Sequence, residues 1–436
     1  MSITRRFIIL AALGLPLLAL SQAFNLHMAV FAAYNAFCFG LLAVDFFISP
    51  SGRSVEIKRD SVEKMRFRAE NRVCFSLRHR FSRPISITLK DEIPDWHFTL
   101  GEKRRMTILV PPGEEALFFY TVIPSKRGRF SFENVHGFIE GVLGLCRKYF
   151  IKPLPMDCKV YPDLRDLSKY RLAAQKRMQI SQGDRSIKLR GAGEEFESLR
   201  DYVDGDDYRK MNWMATARQG KLIINQYQAE RNQPVFILVD CGRPMSYTVK
   251  GWKKLDYAIN AALILSDIVN QQGDNSALMV FDANIKSVIM PGKGEGHRDL
   301  LMEALYDAQG SKMASDYEGA FMELLSRQKR RGLAFLFTDF ETMEEAREVA
   351  LGLATLKKRH TPIIVLMENE SLDKMISNSS KREDDLYEKS AAIEFRSERQ
   401  QIIRSMNAKG IACIQTEAEN FALAAVNRYL SSKIRG

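Results

Sequence analysis

The sequence predicts two membrane helices at the N-terminus, then a small antiparallel β-sandwich, then an α/β domain with a mostly parallel sheet. Two long apolar runs fill residues 1–50, and short segments of alternating apolar and polar residues fill 51–162. Wholly apolar segments separated by helical stretches recur through 231–436. Alternation is typical of strands with one face in water, whereas a wholly apolar strand is typical of a sheet covered on both faces.

The predicted anchor, residues 1–50, consists of apolar runs from Phe7 to about Phe24 and from Met28 to Ile48. A helix of about 20 apolar residues crosses the hydrocarbon core of a bilayer, and lipid forces the backbone to pair within the helix. Arg5 and Arg6 precede the first run, no Lys or Arg lies between the runs, and basic residues follow the second. The positive-inside rule therefore predicts that both ends of the anchor are cytoplasmic.

A cleaved signal peptide is the alternative, with Arg5 and Arg6 as its charged region and Ala19–Ser21 as its cleavage site. One anchor would then remain, and the large domains would lie outside the membrane. We prefer two helices because the basic residues after Ile48 would otherwise lie on the wrong side.

The net charge of +11 is concentrated beside the membrane, where residues 51–110 contain 14 Lys and Arg against 8 Asp and Glu. Anionic lipid headgroups attract such a surface. Nucleic-acid binding would need aromatic platforms or a recognisable motif, and neither is visible, so we expect lipid and not nucleic acid as the partner. The six scattered cysteines form no CxxC pair and indicate a reducing compartment.

Strands of the two soluble domains can be read from the pattern. Val73–Leu77 and Ile85–Leu89 alternate apolar and polar residues, and further strands follow at spacings of about ten residues, which is typical of a small sandwich. Val235–Val239 and Ala277–Phe281 are continuous apolar runs separated by a helical stretch. Strands that alternate with helices predict a parallel sheet with helices on both faces.

The connecting region, residues 163–230, contains the most distinctive segment, which we call the signature motif. Its characteristic residues are Glu194, Glu195, Phe196, Arg200, Tyr202, Gly205, Asp206, Asp207, Arg209, Trp213 and Arg218. The spacing of Phe196, Leu199 and Val203 predicts a short amphipathic helix. A second helix, capped by Asp206, would carry Met211, Met214 and Arg218 and end at Gly220.

Three interpretations of the signature motif remain open. Its opposite charges would form a structural clasp that locks the segment against the sheet, with Trp213 packed beneath it, or they would recognise a protein partner or small ligand. The third is metal binding or catalysis, although Asp204–Asp207 lacks the regular ligand spacing of a calcium loop.

The signature motif resembles that of the bacterial family catalogued as domain of unknown function 58. Pro124–Gly128 and Gly141–Leu145 also resemble conserved segments of that family, although Leu143 replaces the usual aromatic residue, and Val160–Pro162 fits as well. The resemblance implies a protein of the bacterial inner membrane whose large domains face the cytoplasm. It also implies that residues 231–436 have a von Willebrand factor A-like, Rossmann-like fold.

That fold often holds Mg²⁺ through Asp-x-Ser-x-Ser after the first strand, with later loops adding a Thr and an Asp. Here Asp240 ends the first strand, but Gly242 and Pro244 stand where the serines would be. The later ligands would come from Ser315 or Asp316 and from Asp339. We therefore expect no cofactor, with Asp240, Ser315 and Asp339 as weak candidates for Mg²⁺.

Three functions follow from these features. The first is a membrane-anchored, non-enzymatic interaction or assembly factor. The resemblance implies that it acts with a MoxR-type AAA+ ATPase and other von Willebrand-like membrane proteins on envelope-associated complexes. The second is a divalent-cation-dependent adhesion module. The third is a hydrolase that uses the acidic motif, although no GxSxG, P-loop or HExxH motif is present.

Overall fold

A computed structural model describes most of the chain. The described residues are 2–16, 27–60, 62–94, 97–100, 105–162, 171–172, 195–203, 206, 208, 211–228, 232–340, 342–368, 375–376 and 383–435. The chain divides into two compact units, Met1–Asp163 and Leu164–Gly436.

The N-terminal unit begins with a two-residue strand, β1 (Ser2–Ile3), and two helices, α1 (Arg5–Ala12) and α2 (His27–Ile48). Within the described ranges, one helical segment, Met28–Ser54, is long and apolar enough to cross a membrane. The second predicted span is thus confirmed as a long apolar helix. A signal sequence has the same length and composition, so this feature alone does not distinguish an anchor from a leader. The first predicted span is described only to residue 16, and the rest of it lies outside the described residues.

The described residues of this unit form nine further strands: β2 (Val55–Arg59), β3 (Lys64–Arg66), β4 (Asn71–His79), β5 (Ile85–Asp91), β6 (Phe98–Leu100), β7 (Met106–Val110), β8 (Glu115–Pro124), β9 (Gly128–Glu140) and β10 (Cys146–Tyr161). One sheet has the order β1-β10-β9-β5-β7, with β3 also paired to β10, and the other has the order β2-β4-β8-β6. All pairs are antiparallel except β3 with β10. The prediction of antiparallel sheets is confirmed.

The two sheets contact each other through apolar rings and one buried ion pair. The ring of Phe98 in the smaller sheet meets that of Phe132 in the larger one, with centroids 5.8 Å apart. Arg59 from β2 pairs with Asp91 from β5, and both side chains are almost wholly buried. The Tyr120 hydroxyl of β8 donates to the same carboxylate at 2.5 Å. A buried carboxylate is tolerated only when donors or cations satisfy it, so this cluster holds the two sheets together.

The C-terminal unit contains a six-stranded sheet of order β17-β16-β13-β18-β19-β20. Its strands are β13 (Pro234–Asp240), β16 (Asn275–Phe281), β17 (Ile285–Gly292), β18 (Leu333–Phe337), β19 (Thr361–Met367) and β20 (Ala412–Thr416). Neighbours are parallel except β17, which runs antiparallel to β16. The predicted α/β domain with a mostly parallel sheet is confirmed.

Helices cover both faces of this sheet. They are α4 (Lys254–Gln271), α5 (Glu295–Tyr306), α6 (Tyr317–Arg327), α7 (Met343–Leu356), α8 (Glu383–Ala408) and α9 (Phe421–Arg435). Val235, Ile237 and Val239 of β13 pack with α4, α5 and α9, whereas Phe236 and Leu238 pack with α6, α7 and α8. Successive side chains of a strand point to opposite faces, so the continuous apolar run contributes side chains to two hydrophobic cores.

The signature motif forms a separate module of two strands, β11 (Glu195–Asp201) and β12 (Ile223–Gln228), with helix α3 (Trp213–Gln219) between them. The prediction of a helix from Phe196 to Val203 is wrong. The backbone of this segment forms hydrogen bonds with β12 in an antiparallel pair. The spacing of apolar residues within one segment does not reveal a pairing partner elsewhere in the chain. The predicted second helix does end at Gly220, whose φ is +66°, but Asn212 caps its start instead of Asp206.

Two short antiparallel strands, β14 (Thr248–Val249) and β15 (Trp252–Lys253), precede α4. Lys253 adopts an extended backbone conformation at the N-cap of α4. Its amide donates to the Asp256 carboxylate at 3.3 Å, which satisfies a backbone group before the helix begins. This start of α4 places Lys254 in the first turn of the helix.

We predict that Asp91→Ala lowers the opening free energy of the β sheets by about 3–5 kcal/mol, because the buried Arg59 loses its countercharge. Amide hydrogen exchange of the full chain, read on peptides from β4 and β8, measures this value separately from the C-terminal unit.

The matched control is Asp157→Ala. Asp157 pairs with Arg129 at 2.8 Å, but both side chains are more than half exposed. Its loss should change the opening free energy by less than about 1 kcal/mol. Equal effects of the two substitutions would contradict a structural role for the buried pair.

Candidate functional site

The carboxyl edge of the parallel sheet brings the predicted metal candidates close together. Asp240 ends β13, and Thr338 and Asp339 directly follow β18. Because β13 and β18 are parallel neighbours, their carboxyl ends lie side by side. The Thr338 hydroxyl accordingly donates to the Asp240 carboxylate at 2.5 Å.

Asp240 is completely buried and is surrounded by neutral donors. The Tyr317 hydroxyl and the Gly242 amide each donate to its carboxylate at 2.7 Å, and the Ser315 hydroxyl donates to it as well. Burial raises the pKa of Asp240, although these hydrogen bonds oppose the shift. Burial, and then the neighbouring Asp240 carboxylate, raise the pKa of Tyr317, so the phenol keeps its proton and remains a donor.

Asp339, which follows Thr338, is also buried, and two cations pair with it. The Lys254 ammonium lies 2.8 Å from one carboxylate oxygen, and the Arg399 guanidinium lies 2.6 Å from the other. The Phe340 amide also donates to Asp339 at 3.0 Å. Arg399, from α8, donates to the carbonyl oxygens of Phe340 and Met367 at 2.8 and 2.9 Å. These bonds fix α4 and α8 to the edge of the sheet.

The residues at this edge do not fit a divalent cation. Asp240 and Ser315 do lie together, but two side-chain cations already hold Asp339 and would repel Mg²⁺. At Gly242, a Cβ atom would lie 2.1 Å from the Ser315 hydroxyl oxygen, so a serine there would displace Ser315. Among the described residues, no three His, Cys, Asp or Glu side chains form a group that could hold a metal ion.

In the signature motif, Arg200 and Asp206 form a two-pronged ion pair with N–O distances of 2.6 and 2.7 Å. The Val203 amide donates to the same carboxylate at 2.9 Å. The Asn212 side chain accepts from the Ala215 amide at the start of α3 and donates to Asn225 of β12, each at 2.9 Å. These polar side chains of the described part of the module therefore bond within the motif itself.

The exposure of Trp213 disagrees with the clasp interpretation. It is 68% exposed, so the expectation that it packs beneath the motif is wrong. Tyr202 is partly buried and its amide donates to the Leu222 carbonyl at 2.9 Å, while Arg218 is exposed. The remaining motif positions, Glu194, Gly205, Asp207 and Arg209, lie outside the described residues, as do the side chains of Glu195 and Phe196.

Sequence reasoning missed a concentration of exposed apolar side chains in this module. Its members are Leu199, Val203, Tyr208, Trp213, Met214 and Leu222. Met214, on α3, is 70% exposed. Isolated exposed apolar residues are ordinary, but several in one small module are typical of an interaction surface. The sequence feature that could have indicated this surface is the presence of Tyr, Trp and Met within a strongly charged segment.

The comparisons with known proteins agree with the resemblance noted from the motif. Residues 198–400 match a family described as "Protein of unknown function DUF58". The uncharacterized proteins Mb1516 of Mycobacterium bovis and Rv1480 of Mycobacterium tuberculosis are each 23% identical over 274 residues. The match covers 59% of this chain and 85% of each relative. The chain therefore carries a DUF58 domain.

Two solved structures are similar to part of the chain. A Salmonella α2-macroglobulin reacted with methylamine is 12% identical, with a TM-score of 0.19. The match covers 24% of this chain and only 7% of the macroglobulin. A human complex of zinc 2-glycoprotein with prolactin-inducible protein is also 12% identical, with a TM-score of 0.17, and the match covers 24% and 92% of the two chains. Similarity at this level carries no argument about function.

We predict that Lys254→Met lowers the local opening free energy at the end of β18, because Asp339 then keeps a single cation in a buried site. Arg399 still compensates the Asp339 charge, so the expected loss is that of one hydrogen bond to a charged group, about 1.5–3 kcal/mol. Hydrogen exchange of peptides covering β18 and α4 in the full chain measures the change.

Lys250→Met is the control, since Lys250 pairs with Glu419 at 3.0 Å where both groups are substantially exposed. A loss of less than about 1 kcal/mol is expected for it. Unchanged protection of β18 in Lys254→Met would overturn the view that this ammonium neutralises the buried edge.

Proposed function

We propose that this protein, whose residues 198–400 form a DUF58 domain, is a membrane-anchored, non-enzymatic interaction or assembly factor. In this proposal it acts with a MoxR-type AAA+ ATPase and other von Willebrand-like membrane proteins on envelope-associated complexes. The ATPase supplies the energy of remodelling, and this chain holds the recognition surface beside the membrane. The von Willebrand factor A-like fold is part of the proposal.

The exposed apolar side chains of the signature motif carry the proposal. Trp, Tyr and Met are enriched in protein interfaces, where a few buried anchors contribute most of the binding energy. Trp213 and Met214 are adjacent on α3 and project into solvent. Their module is held in shape by Arg200, Asp206 and Asn212, so little conformational order has to be gained on binding.

The two other functions receive less support. A hydrolase that uses the acidic motif would need a carboxylate free to meet substrate, but Arg200 and the Val203 amide already engage Asp206. An adhesion module would need an open cation position, but Lys254 and Arg399 hold Asp339.

The membrane topology in this proposal has both ends of the anchor on the cytoplasmic side of the bacterial inner membrane. Ser2 and Ile3 pair with Arg147 and Cys146 at the start of β10, and the Thr4 hydroxyl donates to the Gly144 carbonyl at 2.6 Å. Cleavage near Ala19–Ser21 would remove residues that belong to this sheet. This pairing therefore supports a retained N-terminus and two membrane helices instead of a cleaved leader.

The basic surface of the β unit gives the proposal a second contact with the membrane. Positive side chains next to a bilayer are attracted to anionic headgroups, with about 1 kcal/mol for each Lys or Arg near the surface. In this proposal the lipid contact orients the β unit. Protein binding belongs to the signature motif, and nucleic acid is not a partner.

We predict that the double substitution Trp213→Ala and Met214→Ala reduces co-purification of the cognate MoxR-type ATPase by at least about tenfold. Loss of one well-packed anchor costs about 2 kcal/mol or more, and 1.4 kcal/mol corresponds to a factor of ten. The full chain in detergent is used as bait, in the presence of ATP, of ADP and of no nucleotide.

Leu351→Ala is the matched control, because Leu351 is 73% exposed on α7, outside the signature motif. It should leave ATPase binding unchanged. Failure of the unsubstituted chain to bind the ATPase in every nucleotide state would refute the proposed partnership.

For the adhesion alternative, calorimetry with Mg²⁺ or Mn²⁺ is decisive. We expect no saturable binding below the millimolar range, because two buried cations already hold Asp339, the remaining candidate ligand beside Asp240 and Ser315 in the predicted set. Saturable micromolar binding would favour the adhesion module over the assembly factor.

A further inference from the structure

The tip of the β9–β10 hairpin, residues 141–145, is bonded to a carboxylate inside the apolar helix α2. Asp45 is completely buried, and its oxygens accept from the amides of Leu143, Leu145 and Cys146 at 2.8, 2.9 and 3.0 Å. A Cβ atom at Gly141 would lie 2.3 Å from the same carboxylate, so the backbone approaches closely only because this residue is glycine.

The contact continues to the next turn of the helix. The Val142 amide donates to the Ser49 hydroxyl at 2.9 Å, and the Lys148 ammonium donates to the Ser49 carbonyl at 2.6 Å. The hairpin tip is therefore level with residues 45–49 of the helical segment and fixed to it at several points. A charged residue in a membrane helix is expected to face such an internal partner, because lipid offers none.

The exposed residues beside this contact set its depth. Phe47 is 81% exposed and Ile48 is 57% exposed, and such apolar side chains on a membrane helix are expected to be covered by lipid. The apolar layer of the bilayer must then reach at least to Ile48. Asp45 precedes Ile48 by three residues, about 4.5 Å along the helix axis. A hairpin tip bonded to Asp45 then lies no shallower than the boundary between headgroups and acyl chains.

The composition of the tip suits that depth. Val142 and Leu143 project outward and are exposed, Leu143 by 47%, although they are apolar. Arg5 is exposed nearby, and the Arg6 guanidinium lies over Gly144, where a Cβ atom would come within 2.7 Å of it. Apolar side chains flanked by arginines are typical of protein surfaces at a membrane interface, where the cations meet phosphate groups.

We infer that the tip of the β9–β10 hairpin is inserted into the headgroup layer of the membrane, with Val142 and Leu143 against the upper acyl chains. This inference rests on the proposed membrane anchor and adds to it a contact in which the hairpin tip enters the bilayer. The hairpin hides the Asp45 charge from lipid, and the inserted tip fixes the orientation of the β unit on the membrane surface.

The test is tryptophan quenching in the full chain, reconstituted in vesicles of phosphatidylethanolamine and phosphatidylglycerol. The three native tryptophans are replaced by phenylalanine, and Leu143→Trp is introduced as the reporter. Lipids brominated near the headgroup end of the acyl chain quench a tryptophan that touches them. We expect quenching of Leu143→Trp to be several-fold stronger than that of Lys126→Trp.

Lys126 is the matched negative control, because it is exposed at the opposite end of β9. The 13 residues of that strand place it about 40 Å from the tip. Phe47→Trp reports on the helix itself. Val142→Trp repeats the measurement at the neighbouring position, in case Leu143→Trp reduces the yield of folded protein.

The outcomes separate the two proposals. In one outcome Phe47→Trp is strongly quenched, but Leu143→Trp and Val142→Trp are no more quenched than Lys126→Trp. That result would overturn the insertion of the tip and leave the anchor intact. Quenching of none of these reporters would overturn the anchor and, with it, the insertion. Strong quenching of Phe47→Trp together with either tip reporter supports both.

Discussion

A buried carboxylate needs donors or a cation within bonding distance, and this constraint organises both units of the chain. Asp45 takes backbone amides from a hairpin, and Asp91 takes a guanidinium and a phenol from the opposite sheet. Asp240 takes hydroxyl groups, and Asp339 takes two side-chain cations. Each acid thus joins elements that are distant in sequence, and losing one partner would leave a buried charge whose cost is a large part of a domain's stability.

The same constraint decides what the carboxyl edge of the parallel sheet can do. That edge is where open α/β sheets usually bind ligands. Here the acids that would face an ion are already satisfied by residues of the chain itself, and Lys254 and Arg399 neutralise Asp339. The edge therefore stabilises the packing of α4 and α8, and the exposed side chains that suit recognition lie in the signature motif.

Helix α2 is rigidly attached to the β unit. Because α2 is bonded to the β9–β10 hairpin through Asp45 and Ser49, it is coupled to the adjoining sheet at a fixed position instead of through a free linker. In the proposed function, this coupling holds the β unit in one orientation at the membrane surface.

Local periodicity predicts the order of the parts, because the apolar run from Met28 to Ile48, the alternating strands and the continuous strand Val235–Val239 each show their pattern within one segment. The signature motif of the DUF58 domain can also be read from the sequence. The folded chain was needed to show that residues 195–201 form a strand, that Trp213 is exposed and that Lys254 lies against Asp339. These features depend on partners far away in the chain, and local spacing carries no information about which distant side chain satisfies a buried charge.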